Sequence, residues 1–193
     1  MATNEDDFVL KAEALAREIY AGKYRSGESR RAYIEHPLAL VTILRSHGVS
    51  DPITLAGALL HDAIEENDHD PKVSIAIERQ SGVEVLALVL ELTDLKGVSR
   101  EERRAEQIAR AKGYSVRAGL ARTADKLANL SELLESPPKW APKHVIAYAC
   151  FAMQVVEVCG HVCPAMALEC QQAYEQVLVR YAAPQSAPQT PSS

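Results

Sequence analysis

Residues 56–66 read Ala56-Gly57-Ala58-Leu59-Leu60-His61-Asp62-Ala63-Ile64-Glu65-Glu66. An unbroken apolar run ends in a histidine and an aspartate side by side. The run sits in a helix that opens at Asp51-Pro52 with N-cap chemistry and extends through His61 to about Glu66. A polar pair directly after such a run lies either at a helix's exposed edge or against an internal site. Burying an unpaired carboxylate there costs several kcal/mol unless a cation or donors compensate. A metal compensates well, because histidine and aspartate are both good ligands for borderline divalent ions.

Two neighbouring ligands leave a coordination sphere unfilled, so others must come from elsewhere in the chain. His36 precedes Pro37 at a helix start. Asp125 lies in Thr123-Ala124-Asp125-Lys126-Leu127, a carboxylate within an otherwise Leu/Ala-patterned helix. Each alone is ordinary: a histidine before proline is usually a cap or a core hydrogen-bonder, and Asp-Lys on a helix is usually surface charge. Together His36, His61, Asp62 and Asp125 make a His/His/Asp/Asp set drawn from three helices. A mixed N,O site of this kind with open positions suits Mn²⁺ or Fe²⁺ used to activate water.

Outward from these residues the chain reads as helix after helix. Apolar spacing predicts a first helix over Phe8 to Ala21, broken by the polar stretch Gly22 to Arg31, and a second from Pro37 through Leu44 closed by Gly48. Further helices are expected at Lys72–Gln80, Val83–Leu92, Arg100–Ala111, Val116–Leu134, Pro142–Val158 and Ala165–Tyr181. Ser99 with Glu102 is a capping box, and Ser136-Pro137-Pro138 ends the seventh helix. No strand alternation is long enough for a sheet. The expectation is one all-α domain over residues 1–182, a bundle of roughly eight to ten helices. The Pro/Ser/Gln-rich residues 183–193 are expected to form a disordered tail.

Composition narrows the class. The 193 residues are 47% hydrophobic and 24% charged but only 5% aromatic, as for a soluble domain with an Ala/Leu/Val/Ile core. A formal net charge of −5 argues against a nucleic-acid polymer as partner, while a small anion needs only a local basic pocket. No run approaches eighteen uncharged apolar residues, and the acidic N-terminus is unlike a secretory signal, so a cytoplasmic location is expected. Cys150, Cys159, Cys163 and Cys170 read as reduced core thiols. The Cys159-Gly160-His161-Val162-Cys163 segment lacks the paired spacing of a structural zinc site.

Longer matches surround the four candidate ligands. Tyr33-Ile34-Glu35-His36-Pro37, Ala58 to Glu66, Leu92-Thr93-Asp94 and Ala124-Asp125-Lys126-Leu127-Ala128-Asn129-Leu130 occur in order. Pro138-Lys139-Trp140 and His144-Val145-Ile146-Ala147-Tyr148 follow them. In order and spacing the chain resembles the HD-type hydrolase domain of the Rel/Spo alarmone family, from about Ala14 to Val156. It is similar in particular to the stand-alone small alarmone hydrolases, including the form found in animals.

The resemblance implies an HD-domain bundle with a metal, typically Mn²⁺ (Fe²⁺ or another divalent ion in some settings), on His36, His61, Asp62 and Asp125. It implies hydrolysis of the 3′-diphosphate of ppGpp or pppGpp, the alarmone of the stringent response, to GDP or GTP plus pyrophosphate. Glu65, four residues after His61 on the same helical face, is then placed beside the water under attack, with Glu66 as a weaker second carboxylate. Arg25 resembles an arginine that stacks on the purine. Asn129 and Tyr148 resemble nucleoside contacts, Lys126 joins the substrate-binding set, and Arg103 and Arg104 are candidates for the distal phosphate.

Three departures stand out. The family usually has Glu-Asp-Thr where this chain has Glu65-Glu66-Asn67; Ser26 replaces a frequent lysine; Ala32 replaces a frequent proline. Two other readings therefore stay open. One is an HD phosphohydrolase acting on another nucleotide: an adenosine alarmone analogue, the 2′-phosphate of NADPH, or a nucleoside mono- or triphosphate. The other is a nucleotide-binding or antitoxin-like module. The expected partner is a small nucleotide, with no membrane and no nucleic-acid polymer; a homo-oligomer and a cognate synthetase toxin stand open as protein partners.

Overall fold

In the computed structural model, which describes residues 4–25 and 30–182, nine α-helices and two short 3₁₀ turns account for nearly all the regular structure. The helices are α1 (Asn4–Ile19), α2 (Glu35–Ser46), α3 (Pro52–Leu60), α4 (Pro71–Ser81), α5 (Val83–Leu92), α6 (Arg100–Ala111), α7 (Val116–Glu135), α8 (Pro142–Cys159) and α9 (Pro164–Ala182). The all-α expectation holds. Ser26 and the expected tail lie outside the described residues.

Local chemistry sets most boundaries. Asp51 caps α3, its carboxylate accepting the Thr54 N–H at 2.9 Å, and Pro52 occupies the first helical position, where no N–H is needed. The capping box of α6 forms in both directions, with Glu102 N–H to Ser99 Oγ at 3.1 Å and Ser99 N–H to Glu102 Oε2 at 2.8 Å. Ser115 caps α7 through the Ala118 N–H at 3.2 Å.

One expectation is corrected. The helix that was to reach Glu66 ends at Leu60; His61–Ile64 continue as open turn and Glu65–Asn67 as a 3₁₀ turn, closed by Asp68 in the left-handed region at φ 54°. Asp68 and His69 both take positive φ where the chain turns toward α4.

α3 and α7 form the centre. Thr54 through Leu60 are all buried, so α3 is enclosed on every side, by α1, α2, α5 and α7. Gly57 permits this: a Cβ there would meet Leu88 Cδ2 of α5 at 2.3 Å. α7 packs on α2, α3, α5, α8 and α9 and buries twelve of its residues, Arg122, Asp125 and Lys126 among them. The apolar core is continuous from Val9 to Val177. The stretch Pro142–Val162 is by itself long and apolar enough to cross a bilayer, but half of it is buried, against α6, α7 and α9. It serves as a core helix. The cysteines are all free; Cys159 Sγ lies 3.8 Å from Thr123 Oγ1, and Cys170 approaches the Thr123 carbonyl.

Candidate metal centre and active site

The end of α3, the first turn of α2 and the middle of α7 converge on one point. His36, His61 and Asp62 bring one donor atom each to within 4.8 Å of one another. Asp125 completes the group: its Oδ1 is 3.3 Å from His36 Nε2 and 3.9 Å from His61 Nε2. Asp62 Oδ2 lies 3.1 Å from His61 Nε2 and 4.0 Å from His36 Nε2.

Both imidazole Nε2 atoms are buried without a hydrogen-bond partner. Orphaned polar atoms in a core are costly, and two aimed at the same pair of carboxylates mark a place built for a cation. His61 Nδ1 is committed to the Ala58 carbonyl at 2.9 Å, which sets the ring so that Nε2 presents its lone pair to the site. The donor set of two imidazoles and two carboxylates fits a divalent metal ion.

The carboxylates are oriented by their other contacts. Asp62 Oδ2 accepts the Tyr33 hydroxyl at 2.7 Å. Asp125 Oδ2 accepts Lys126 Nζ at 3.0 Å and faces Arg122 Nη1 at 3.5 Å, while Oδ1 accepts Asn129 Nδ2 at 2.5 Å. Burial alone would raise both acids, but the His61 imidazole at Asp62 and the Lys126 charge at Asp125 outweigh it and hold both below the usual carboxylate range. Burial lowers His36 toward its neutral, ligating form, whereas the Asp62 carboxylate overcomes burial at His61 and raises it.

Glu65 faces the same cavity by a different route from the one expected. The 3₁₀ turn, not a continuing helix face, brings it inward, and its Oε1 accepts the Asp94 N–H at 2.8 Å. Burial, then the charges of Asp62 and Asp94, push its carboxyl up to about 7. Asp94 is fixed in turn by Gln107 Nε2 at 2.8 and 3.0 Å and by Arg110 at 3.5 Å.

Glu66 does not line this cavity. It turns toward the Tyr33 and Lys23 side of Asp62, where Lys23 Nζ donates to its backbone carbonyl. Successive residues of a tight turn point in well-separated directions, so the two glutamates approach Asp62 from different sides.

The cavity, about 300 Å³, opens from the metal residues between α6, α7 and α8. Arg100, Arg103 and Arg104 of α6 line one wall, and none has an ion-pair partner among the described residues. Arg104 stacks over Phe151 at 5.0 Å and Tyr148 at 5.8 Å. Trp140 and Tyr148 meet edge-on beside them, 6.1 Å between centroids, and a side pocket of about 200 Å³ continues past Asn129 and Glu132.

The remaining expected substrate residues are present but engaged. Lys126 is buried, paired with Asp125 and 5.1 Å from the Phe151 ring centre. Asn129 accepts Arg25 Nη2 on its Oδ1 at 2.6 Å and donates its Nδ2 to Asp125. Arg25 sits 5.4 Å over the Tyr33 ring and pairs with Glu132 at 2.5 Å. Sequence reading gave no role to Tyr33, Gln107, Arg100, Arg122 or Glu132. Arg122 and Glu132 had one usable signal, their helical spacing of three and seven residues from Asp125 along α7.

The HD domain family matches residues 12–153 of the chain. The Xenopus tropicalis protein named guanosine-3′,5′-bis(diphosphate) 3′-pyrophosphohydrolase MESH1 is 35% identical over 152 residues, covering 77% of this chain and 83% of that one. The Homo sapiens protein of the same name is 34% identical over 151 residues, with the same coverage of 77% and 83%. A solved structure, described as a metazoan ortholog of SpoT that hydrolyses ppGpp, superposes with a TM-score of 0.83 at 29% identity, covering 91% of this chain and 98% of that one. The chain belongs to the HD domain family and, within it, to the group of the MESH1 proteins.

Proposed function

We propose that this protein hydrolyses the 3′-diphosphate of ppGpp or pppGpp, releasing pyrophosphate and leaving GDP or GTP. The observation that carries the reading is the convergence of two orphaned imidazole nitrogens and two carboxylates on the floor of a cavity, with Glu65 beside them. The names of the Xenopus, mouse and human relatives, each a pyrophosphohydrolase of this nucleotide, support it.

His36, His61, Asp62 and Asp125 would hold the ion, which we take to be Mn²⁺. Such an ion supplies Lewis acidity, neutralising phosphate charge and making water acidic enough to attack near pH 7. The protein's side chains do the rest. Glu65, anchored on the Asp94 N–H, accepts the proton of the attacking water. The water oxygen forms its bond to the phosphorus nearest the ribose; the bond from that phosphorus to the 3′-oxygen breaks, and the 3′-oxygen gains a proton.

Arg100, Arg103 and Arg104 offer a positive wall for phosphates, as guanidinium groups suit. Arg25 and the Trp140–Tyr148 pair frame the pocket for the nucleoside, with Asn129 beside them. Lys126 acts through Asp125, holding the carboxylate by its second oxygen. We place Glu66 outside the chemistry, since it faces Tyr33 and Lys23, and we assign the protein to the cytoplasm.

The test is incubation of the purified protein with ppGpp and Mn²⁺, with an EDTA control, followed by anion-exchange separation. GDP and pyrophosphate in equal amounts, abolished by EDTA, is the expected result. Orthophosphate in place of pyrophosphate would move the cleaved bond, and faster turnover of the adenine analogue would change the substrate.

A further inference from the structure

Behind the active site, between α2 and α7, lies a cleft of about 370 Å³ that Arg25 and His36 also line. The partition between this rear cleft and the 200 Å³ side pocket at Trp140 is the Arg25–Glu132 ion pair, since both residues border both cavities. The pair is well enclosed, with side-chain exposures of 17% and 15%.

Arg25 stands on a short loop, and the loop alone does not fix it. Two backbone bonds, Arg25 N–H to the Arg31 carbonyl at 2.9 Å and Tyr33 N–H to the Lys23 carbonyl at 3.0 Å, close the loop on itself. Its attachment to α7 comes through side chains. Arg25 Nε and Nη2 reach Glu132 Oε2 at 3.0 and 2.5 Å, and Arg31 Nη2 reaches Glu132 Oε1 at 3.4 Å. One carboxylate therefore holds guanidinium groups from both sides of the loop. Arg25 Nη2 also donates to Asn129 Oδ1 at 2.6 Å, and Tyr33 covers one guanidinium face at 5.4 Å. With its edge held and one face covered, the guanidinium has its opposite face left to stack on a base. Without the carboxylate, the arginine has room to swing into the rear cleft, where Glu35 and Glu135 offer other negative partners.

We infer that Glu132 is a positioning residue for nucleotide binding: it ties the loop to α7 and holds the Arg25 guanidinium in the plane from which it meets the base. The assignment rests on the reading of the pocket given above and adds to it a residue whose effect on the nucleotide runs through Arg25.

Trp140, the chain's single tryptophan, lines the pocket and reports occupancy. GDP, a product that is not turned over, separates binding from catalysis. Quenching of Trp140 by GDP is titrated in the Mn²⁺-loaded wild type and in Glu132→Gln, Glu132→Asp, Arg25→Ala and the Arg25→Ala/Glu132→Gln double variant, with Mn²⁺ affinity and thermal melting measured alongside.

Glu132→Gln is expected to bind GDP about tenfold more weakly, the scale of one charge-assisted hydrogen-bonded pair. Glu132→Asp should recover part of the loss. The double variant should bind no worse than Arg25→Ala alone, because a residue acting through Arg25 has nothing to act on once it is gone. In steady state the effect falls on KM more than on kcat, and Mn²⁺ affinity is unchanged. Should Glu132→Gln not fold, Glu132→Asp against Arg25→Ala is read the same way.

GDP binding unchanged in Glu132→Gln, additive losses in the double variant, or a melting loss with KM intact would each overturn the assignment while leaving the hydrolase reading in place. A wild-type protein that neither binds GDP nor cleaves ppGpp would sink the hydrolase reading and this assignment with it.

Discussion

The two walls of the cavity are built on opposite plans. On the α3–α7 side every reactive residue but His36 is oriented by a hydrogen bond: Tyr33 holds Asp62, Lys126 and Asn129 hold Asp125, Ala58 holds His61, and the Asp94 N–H holds Glu65. On the α6 side Arg100, Arg103 and Arg104 have no acidic partner among the described residues, and Arg103 is exposed. A metal centre gains affinity when its ligands are oriented before the ion arrives. A phosphate-binding wall gains from side chains that still have donors to spend. The contrast predicts that substitutions on the first wall damage chemistry and metal affinity, and those on the second damage substrate capture.

The largest effect is expected at Asp62. Asp62→Ala should cut kcat/KM by roughly 10³-fold or more, as losing the charge stabilisation of a bound cation requires, and added Mn²⁺ should not restore it. A variant that keeps its turnover would remove Asp62 from the centre.

Glu65→Gln follows, with kcat down roughly 10²- to 10⁴-fold and Mn²⁺ binding retained. The glutamate must be ionised to accept a proton. Burial, with the charges of Asp62 and Asp94, puts its pKa at about 7, and a nearby cation lowers it. The wild-type kcat should therefore rise with pH along a limb that lies below pH 7, and Glu65→Gln should lose that limb. A limb unchanged in the variant would assign it to another group.

Tyr33→Phe removes only the hydroxyl that orients Asp62, so Mn²⁺ should bind about tenfold more weakly, at the low end for a lost outer contact to a ligand. Mn²⁺ titration checks it, and an unchanged affinity would mean that Asp62 is held without Tyr33.

The smallest change is expected on the other wall. Arg103→Ala should raise KM by about fivefold, near the upper range for an exposed charge pair, with kcat preserved. The difference from wild type should shrink as salt is raised. A fall in kcat with KM intact would break the division between the two walls.

Much of the rigid wall was legible in the sequence. His36, His61, Asp62 and Asp125 stand out because polar residues interrupt apolar helices, and that interruption is costly unless something compensates. The caps at Asp51 and Ser99 were equally readable, since their partners lie within three residues.

What was not legible depends on the path of the chain through space. The helix was expected to run on to Glu66, whereas it ends at Leu60 and the chain passes through turns and a 3₁₀ segment before Asp68 and His69 take positive φ. Glu132 is 107 residues from Arg25. Nothing local at either residue names the other, although the stripe Asp125, Asn129, Glu132 on one face of α7 contained half of the information. Gln107 and Asp94 meet for the same long-range reason, through the docking of α6.

The centre itself is tested most directly by equilibrium binding of Mn²⁺, followed by electron paramagnetic resonance of the free ion, in the wild type and in Asp125→Asn. The wild type should take up one ion per chain, and the variant should bind it far more weakly while melting as a folded protein. A wild type that binds no ion, or an Asp125→Asn protein that binds it equally well, would contradict the assignment of these four side chains as a metal centre.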